Sequence, residues 1–171
     1  MDRIFFEDER ICLAEFTAGD YELAYRSWLE EDVVIAYNWR LSRTFSEYLE
    51  YSRSAPWGAA IRDKARDVSV GRIGISSGDC PDLTITIYQE YRGLGYGTAA
   101  CKLAIRYAFD QLKLDRLYAG CYEDNAASYQ MLVKSGFRRH PAGDEAEPHI
   151  LTGRDRLQYD FVIEAKDLQT Q

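Results

Sequence analysis

The chain has 171 residues, 46% of them apolar and 29% charged, which places it among folded globular proteins with enough length for a real core and excludes disorder. A net charge of −7 with no long basic run excludes general nucleic-acid binding through phosphates, and it is compatible with a cationic acceptor such as an amine. The stretch MDRIFFEDER (1–10) is charged, not apolar, and no run reaches membrane-spanning length, which predicts a cytoplasmic protein without membrane contact.

Alternation in ICLAEFT (11–17) predicts a strand, and Thr17 or Asp20 is placed to cap a helix through YELAYRSWLEE (21–31). YNWRLSRTF (37–45) breaks that period, and SEYLEYSRS (46–54) restarts a short helix that must end before Pro56. WGAAIR (57–62) and VSVGRIGIS (68–76), joined by a polar turn, predict a hairpin. PDLTITIYQ (81–89) alternates strictly at Leu83, Ile85 and Ile87.

From Tyr96 to Leu112 apolar residues recur at helical spacing, giving an amphipathic helix of about four turns. RLYAGCY (116–122) reads as a strand, NAASYQMLVKSG (125–136) as a helix ending on Gly136, and RLQYDFVIE (156–164) as a final strand. The unit formed by strand 82–88, helix 96–112 and strand 116–122 requires its two strands to run parallel. No repeat or Pro/Gly/Ser linker divides the sequence, so one domain over 1–171 is expected.

Cys12, Cys80, Cys101 and Cys121 lie far apart with no C-x-x-C pair, and His140 and His149 lack ligand spacing, so no metal is expected. Cys101 and Cys121 fall in apolar periodic segments and read as buried thiols.

Three glycines, Gly93, Gly95 and Gly97, stand where a strand gives way to a helix. A helix start presents unpaired N–H groups and the positive end of the dipole, and glycine lets a phosphate approach them. A tight turn packed on the sheet is the plain alternative. A P-loop is excluded because no Lys-Ser/Thr follows Gly97. Residues 95–100 satisfy G-x-G-x-x-A, so a nucleotide or NAD site stays open. Against it, Glu123 and Asp124 lie too far on, and one β–α–β unit cannot hold a dinucleotide.

Arg92 through Gly97 fits R/Q-x-x-G-x-G/A and resembles the pyrophosphate-binding signature of the GNAT superfamily of acyl-CoA-dependent N-acyltransferases. EDNAASYQMLVKSGFRR (123–139) resembles that family's next signature, with Asn125, Ser128 and the Gly136-Phe137 pair. N-x-x-S followed by G-F is similar to the branch that includes ribosomal-protein N-terminal acetyltransferases. The resemblance is strong over 68–140 and looser elsewhere.

The resemblance implies an α+β fold, with a central mixed, mostly antiparallel sheet of about seven strands and about four flanking helices. A V-shaped splay is expected between the family's fourth and fifth strands. It also implies acetyl-CoA as co-substrate, direct attack on the thioester by a small-molecule or peptide amine, and no metal. Binding without catalysis is the alternative. Dimers are common among relatives, and the sequence leaves a homodimer open.

Family-matched donor contacts are Ile87 and Tyr88 along the pantetheine arm and Arg92, Gly93, Leu94, Gly95, Tyr96, Gly97 and Thr98 around the pyrophosphate. Asn125 is matched to the cofactor arm, and is equally suited to cap its helix.

Leu132 stands where many relatives carry a tyrosine acid, so Tyr129, three residues earlier, and Ser128 are the candidates for protonating the thiolate, with packing in the groove wall the alternative for Tyr129 and capping or a cofactor contact the alternative for Ser128. Asp82 and Glu123 are the candidates for taking the amine proton, each with a solvated surface carboxylate as its alternative. Tyr37, Trp39, Arg40, Arg43 and Phe45 fall in the segment that lines the acceptor cleft in relatives. The acidic loop GDEAEP (143–148) is expected to face them, an arrangement suited to a cationic amine, or else to lie solvated.

Overall fold

The computed structural model describes residues 3–54 and 57–168. Five strands, β1 (Ile4–Glu7), β2 (Ile11–Ala14), β3 (Trp57–Asp63), β4 (Val68–Ile75) and β5 (Leu83–Ile87), form an antiparallel sheet in sequence order. A second sheet pairs β6 (Arg116–Tyr122) with β9 (Asp155–Glu164), and β9 in turn pairs β7 (Arg138–Arg139) and β8 (Glu145–Pro148).

The two sheets touch at one parallel bridge, Asp82 to Tyr118, where Tyr118 N donates to Pro81 O at 2.9 Å. Beyond that point β5 and β6 diverge, and the strands that the β–α–β argument required to be parallel enclose a V. The expected mixed, mostly antiparallel architecture with its splay is present. β1 and the short β7 and β8 raise the strand count above seven among the described residues.

Helix α1 (Ala18–Leu29) starts three residues before the expected helix. Thr17 and Asp20 act together, each side chain bonding the other's backbone in a capping box. The chain breaks at Glu30 and resumes as α2 (Glu31–Tyr37), which Asn38 ends in the left-handed region at φ 50°. A second capping box, Thr44 with Glu47, starts α3 (Phe45–Arg53). Pro56, the expected stop for that helix, lies outside the described residues.

Helix α4 (Tyr96–Asp110) lays its apolar stripe on the first sheet. Cys101, Ala104, Ile105 and Ala108 are buried there, and the helix packs on β1, β2, β4 and β5. Helix α5 (Ala126–Ser135) covers the second sheet and ends on Gly136 at φ 104°. A short α6 (Ala165–Leu168) follows β9. Cys12, Cys101 and Cys121 are buried thiols, and burial pushes Cys101 up to about 12 and Cys121 to about 11.

On the face away from α4, α1 and α3 build a smaller cluster around Ala24, Leu41 and Tyr48. A bulge makes Val70 the extra residue between the pairs Ile61–Gly71 and Arg62–Ser69. That insertion lets Ser69 and Arg72, three apart, both meet α1, at Asp20 and Trp28.

Candidate active site

The glycine turn ends a strand and opens a helix. Gly93 and Gly95 hold φ values of 72° and 85°, which L side chains rarely adopt, and they swing the chain from the end of β5 into α4. Gly95 caps α4 without any side-chain bond, and the first intrahelical donor is Ala99 N to Gly95 O. The N–H groups of Tyr96, Gly97 and Thr98 therefore have no intrahelical acceptor, as an anion seat requires. They open on a cleft of about 530 Å³ that runs between α2, β5 and α5.

The side chains of the turn have other duties. Tyr96 is 1% exposed, and its hydroxyl bonds Asp63. Gly97 faces Met131 and Ile87 across the cleft floor. Leu94 offers its carbonyl to Arg10, whose guanidinium lies 4.1 Å over the Tyr96 ring. Arg10, unmarked by any motif, braces the turn from β2's entry. Arg92 was expected beside a pyrophosphate. It instead donates to Ile87 O at 2.9 Å and pairs with Glu30 and Asp32 at the α1–α2 junction. Arg92 still lines the cleft, but its guanidinium is paired with two carboxylates, and beside it the N–H groups of residues 96–98 lack intrahelical acceptors.

Along β5 the backbone alternates between partners. Ser76 N donates to Asp82 O and Tyr88 N to Val70 O, so the even positions belong to β4. The odd positions face the splay. Of the expected pair, Ile87 is turned to the cleft, whereas the Tyr88 N–H is held by β4 and its side chain is buried. At Ile85 both backbone groups meet a single side chain: the Tyr37 hydroxyl donates to Ile85 O at 2.6 Å and accepts from Ile85 N at 3.0 Å. Tyr37 lines both the 530 Å³ cleft and a smaller cavity of about 130 Å³ inside the V.

Asn125 caps α5 by accepting from Ser128 N at 3.1 Å, and both residues line the two cavities, so the capping and lining duties coexist. Tyr129 takes the packing alternative, though not in the wall of either cavity. Three positions along a helix leave it about 60° away from Leu132. That rotation sets its ring against Phe161 and Tyr159 of β9, at 5.4 and 6.2 Å, and it lines neither cavity. Leu132, which lacks a proton, lines the inner cavity in its place.

Asp82 and Glu123 part company. Glu123 is exposed, and its carboxylate accepts from Leu157 N at 3.1 Å, which fixes the strand after β8 and turns it away from the splay. Asp82 lines the inner cavity at the closed end of the V. Burial, with the nearby Asp160 charge, pushes its carboxyl up to about 7. Asp160 in turn lies 2.8 Å from His140 Nδ1. His140 therefore joins a polar row leading to Asp82, which its lack of metal spacing in the sequence did not suggest.

The acidic loop is partly neutralised within the fold. Asp144 is held by Arg139, Glu147 by the Tyr122 hydroxyl, and Asn38 clasps the hairpin through Pro148 O and Ile150 N. The Arg139–Asp144 pair offsets one of the loop's three carboxylates, and the Tyr122 and Asn38 bonds hold the loop without changing its charge. A third cavity, of about 690 Å³, lies chiefly beneath α1 and α3 and takes in Trp39 and Arg43 from the expected acceptor segment. Thr84 lines both it and the inner cavity, so the two adjoin. Among the described residues there is no cluster of three or more His, Cys, Asp or Glu fit to hold a metal, and no helix long and apolar enough to cross a membrane.

Residues 10–138 match the family model for the acetyltransferase (GNAT) domain. An uncharacterised N-acetyltransferase of Bacillus subtilis (strain 168), YoaA, is 24% identical over 147 residues, covering 78% of this chain and 82% of that protein. Among solved structures, spermidine N-acetyltransferase from Vibrio cholerae in complex with CoA and spermine superposes with a TM-score of 0.83 at 18% identity, covering 94% of this chain and 99% of that one. A GNAT-family acetyltransferase from Bacillus anthracis gives 0.77 at 19%, covering 97% and 99%. At these identities the two structures speak for the fold alone.

Proposed function

The chain belongs to the GNAT family of acetyltransferases, and from that premise we propose that it moves an acetyl group from acetyl-CoA to a primary amine by direct attack on the thioester. The observation that carries this reading is the meeting of an uncapped α4 start with the splay-facing backbone of β5 in one cleft. A pyrophosphate suits the N–H groups of residues 96–98, and a pantetheine arm suits Ile87 and the α5 wall at Asn125 and Ser128. The CoA complex of the Vibrio cholerae spermidine enzyme, whose fold this chain shares, supports the choice of donor.

Acetyl-CoA supplies an activated acyl group, and the chain's residues position it and move protons. In this reading Asp82 takes the proton from the attacking amine, since a carboxyl held near 7 is half-ionised at neutral pH. Asp160 and His140 behind it form the route to solvent. The Tyr37 hydroxyl stands at the junction of both cavities and donates the proton that the departing thiolate takes up, and solvent restores it. Ser128 contacts the sulfur end. The balance is one amine and one thioester consumed, one amide and one thiol released. The branch resemblance to ribosomal-protein acetyltransferases rests on Asn125, Ser128 and Gly136-Phe137, which are α5 and its C-terminal turn, and so carries no argument about the acceptor.

The test is thermal shift with acetyl-CoA, followed by free-thiol release with an amine panel. A shift with turnover supports the proposal. A shift without turnover for any amine makes the chain a non-catalytic acyl-CoA-binding module, and a shift with NAD or ATP but none with CoA makes it a nucleotide binder.

A further inference from the structure

The acceptor side carries a signal that neither the family nor its spermidine-acetylating neighbour accounts for. Arg72 sits in the middle of β4, the only charged residue in VSVGRIGI, and is 8% exposed. It makes no salt bridge with any described residue. Its Nε and Nη2 atoms are buried without hydrogen-bond partners, and its guanidinium lies 3.8 Å over the Trp28 ring. Stacking on indole offsets part of the cost of burying the charge, but it satisfies none of the N–H groups. A buried cation in that state lacks its anion.

Two features say which anion. Nε and Nη2 are the edge of the guanidinium whose N–H bonds run parallel, the spacing that meets both oxygens of one carboxylate. Arg72 also lines the 690 Å³ cavity, a volume suited to a small-molecule ligand. The cavity's other charged residues are Arg3, Arg43 and Arg53 against the single Glu15, a basic pocket in a chain of net charge −7. Trp28, Trp39 and Tyr48 supply flat apolar walls. Such a pocket repels a polyamine and receives an anion with an aromatic body.

We propose that the acceptor is a primary amine that bears both an aromatic group and a carboxylate, with Arg72 as the carboxylate anchor and the amine directed past Thr84 into the V. This rests on the acetyl-transfer reading for its chemistry, but the seat itself is testable without turnover. Matched pairs, L-phenylalanine with 2-phenylethylamine and L-tyrosine with tyramine, are titrated by calorimetry into the wild-type protein and into Arg72→Gln and Arg72→Lys, with spermine as the cationic control. CoA is titrated into each variant as a check on the fold.

The carboxylate member of each pair is expected to bind at least tenfold tighter than its partner and than spermine. Arg72→Gln is expected to erase that preference, and Arg72→Lys to keep only part of it, while CoA affinity stays within twofold. Equal affinities, no binding by either member, tighter spermine binding, or a preference that survives in Arg72→Gln would each overturn the proposal. If the carboxylate preference and its loss in Arg72→Gln are found but no thiol is released, the seat stands and the acetyl-transfer reading falls.

Discussion

The Tyr37 hydroxyl bridges the backbone N–H and C=O of Ile85, 48 residues along the chain, and so occupies the mouth of the splay with one phenol. Both bonds are short enough to be well formed, and they hold the ring where the donor cleft meets the inner cavity.

Replacing Tyr37 with Phe keeps the ring and removes the proton. In the acid role assigned to it, kcat should fall about 10²-fold or more, with little change in KM for acetyl-CoA, because the loss is confined to the transition state. Steady-state kinetics with a fixed amine check this. An unchanged kcat would remove Tyr37 from proton transfer and leave Ser128.

In the base role proposed for it, Asp82 should set the pH dependence of the rate. With its carboxyl near 7, the ionised base accumulates as pH rises, so kcat/KM should climb through about pH 7 and level off above it. Asp82→Asn should lower the rate by about 10²-fold or more and abolish that limb. A pH–rate profile that keeps its limb in the variant would assign it to another group.

The same shift has the opposite sign for stability. The folded state raises the Asp82 pKa above the unfolded value of 3.8, so it binds more protons than the unfolded chain between about pH 4 and 7. The group's contribution is full below that window and is lost as pH rises through the folded pKa. Asp82→Asn should therefore be more stable than wild type at pH 8, by about 1–4 kcal/mol, and nearly equal to it at pH 4. Thermal melts at the two pH values measure the difference.

Gly95→Ala isolates backbone strain. The nearest atom to an added Cβ is the Arg10 guanidinium at 3.6 Å, so space is available and only the φ of 85° resists. The expected cost is about 1–2 kcal/mol, or a Tm lower by about 2–8 °C. The α4 start should relax with it and weaken CoA binding several-fold, as a calorimetric titration would record.

Asp20 anchors α1 to the sheet. It is 3% exposed and accepts from Thr17, Ser69 and Arg62, the last at 2.7 Å. Burial alone would raise its pKa, but those bonds outweigh it and leave the carboxyl below its usual range. Its contribution is present above the unfolded pKa of 3.8 and is lost as pH falls through the lower folded value. Asp20→Ala should cost about 3 kcal/mol near neutral pH, read from denaturant unfolding.

The parts of this protein legible in the sequence are those set by local chemistry. Glycine density at 93–97, the Asn125 cap, the Gly136 stop and the alternation of 116–122 each act within a few residues, and each element stands where its signal placed it. The turn is legible for the same reason, whereas the cleft it opens on is closed by α2, β5 and α5, which only the fold brings together. The two readings of Tyr129 are not separable along the chain, because a helix rotates by a fixed angle per residue and only the position of β9 decides which side of α5 meets the splay.

Other pairings are decided only in three dimensions. Glu123 meets Leu157 across two adjoining strands, and Arg92 is drawn to Glu30 and Asp32 some sixty positions earlier, where α1 and α2 join. Tyr37 at Ile85 and Arg72 under Trp28 arise where separate elements cross, and neither carries a spacing signal along the chain. The sequence by itself determined the glycine turn and the start of α4 that it opens. Tertiary packing decided the surroundings of Asp82, Tyr37 and Arg72, because burial and long-range neighbours, not residue type, set the state of a carboxyl, a phenol or a guanidinium.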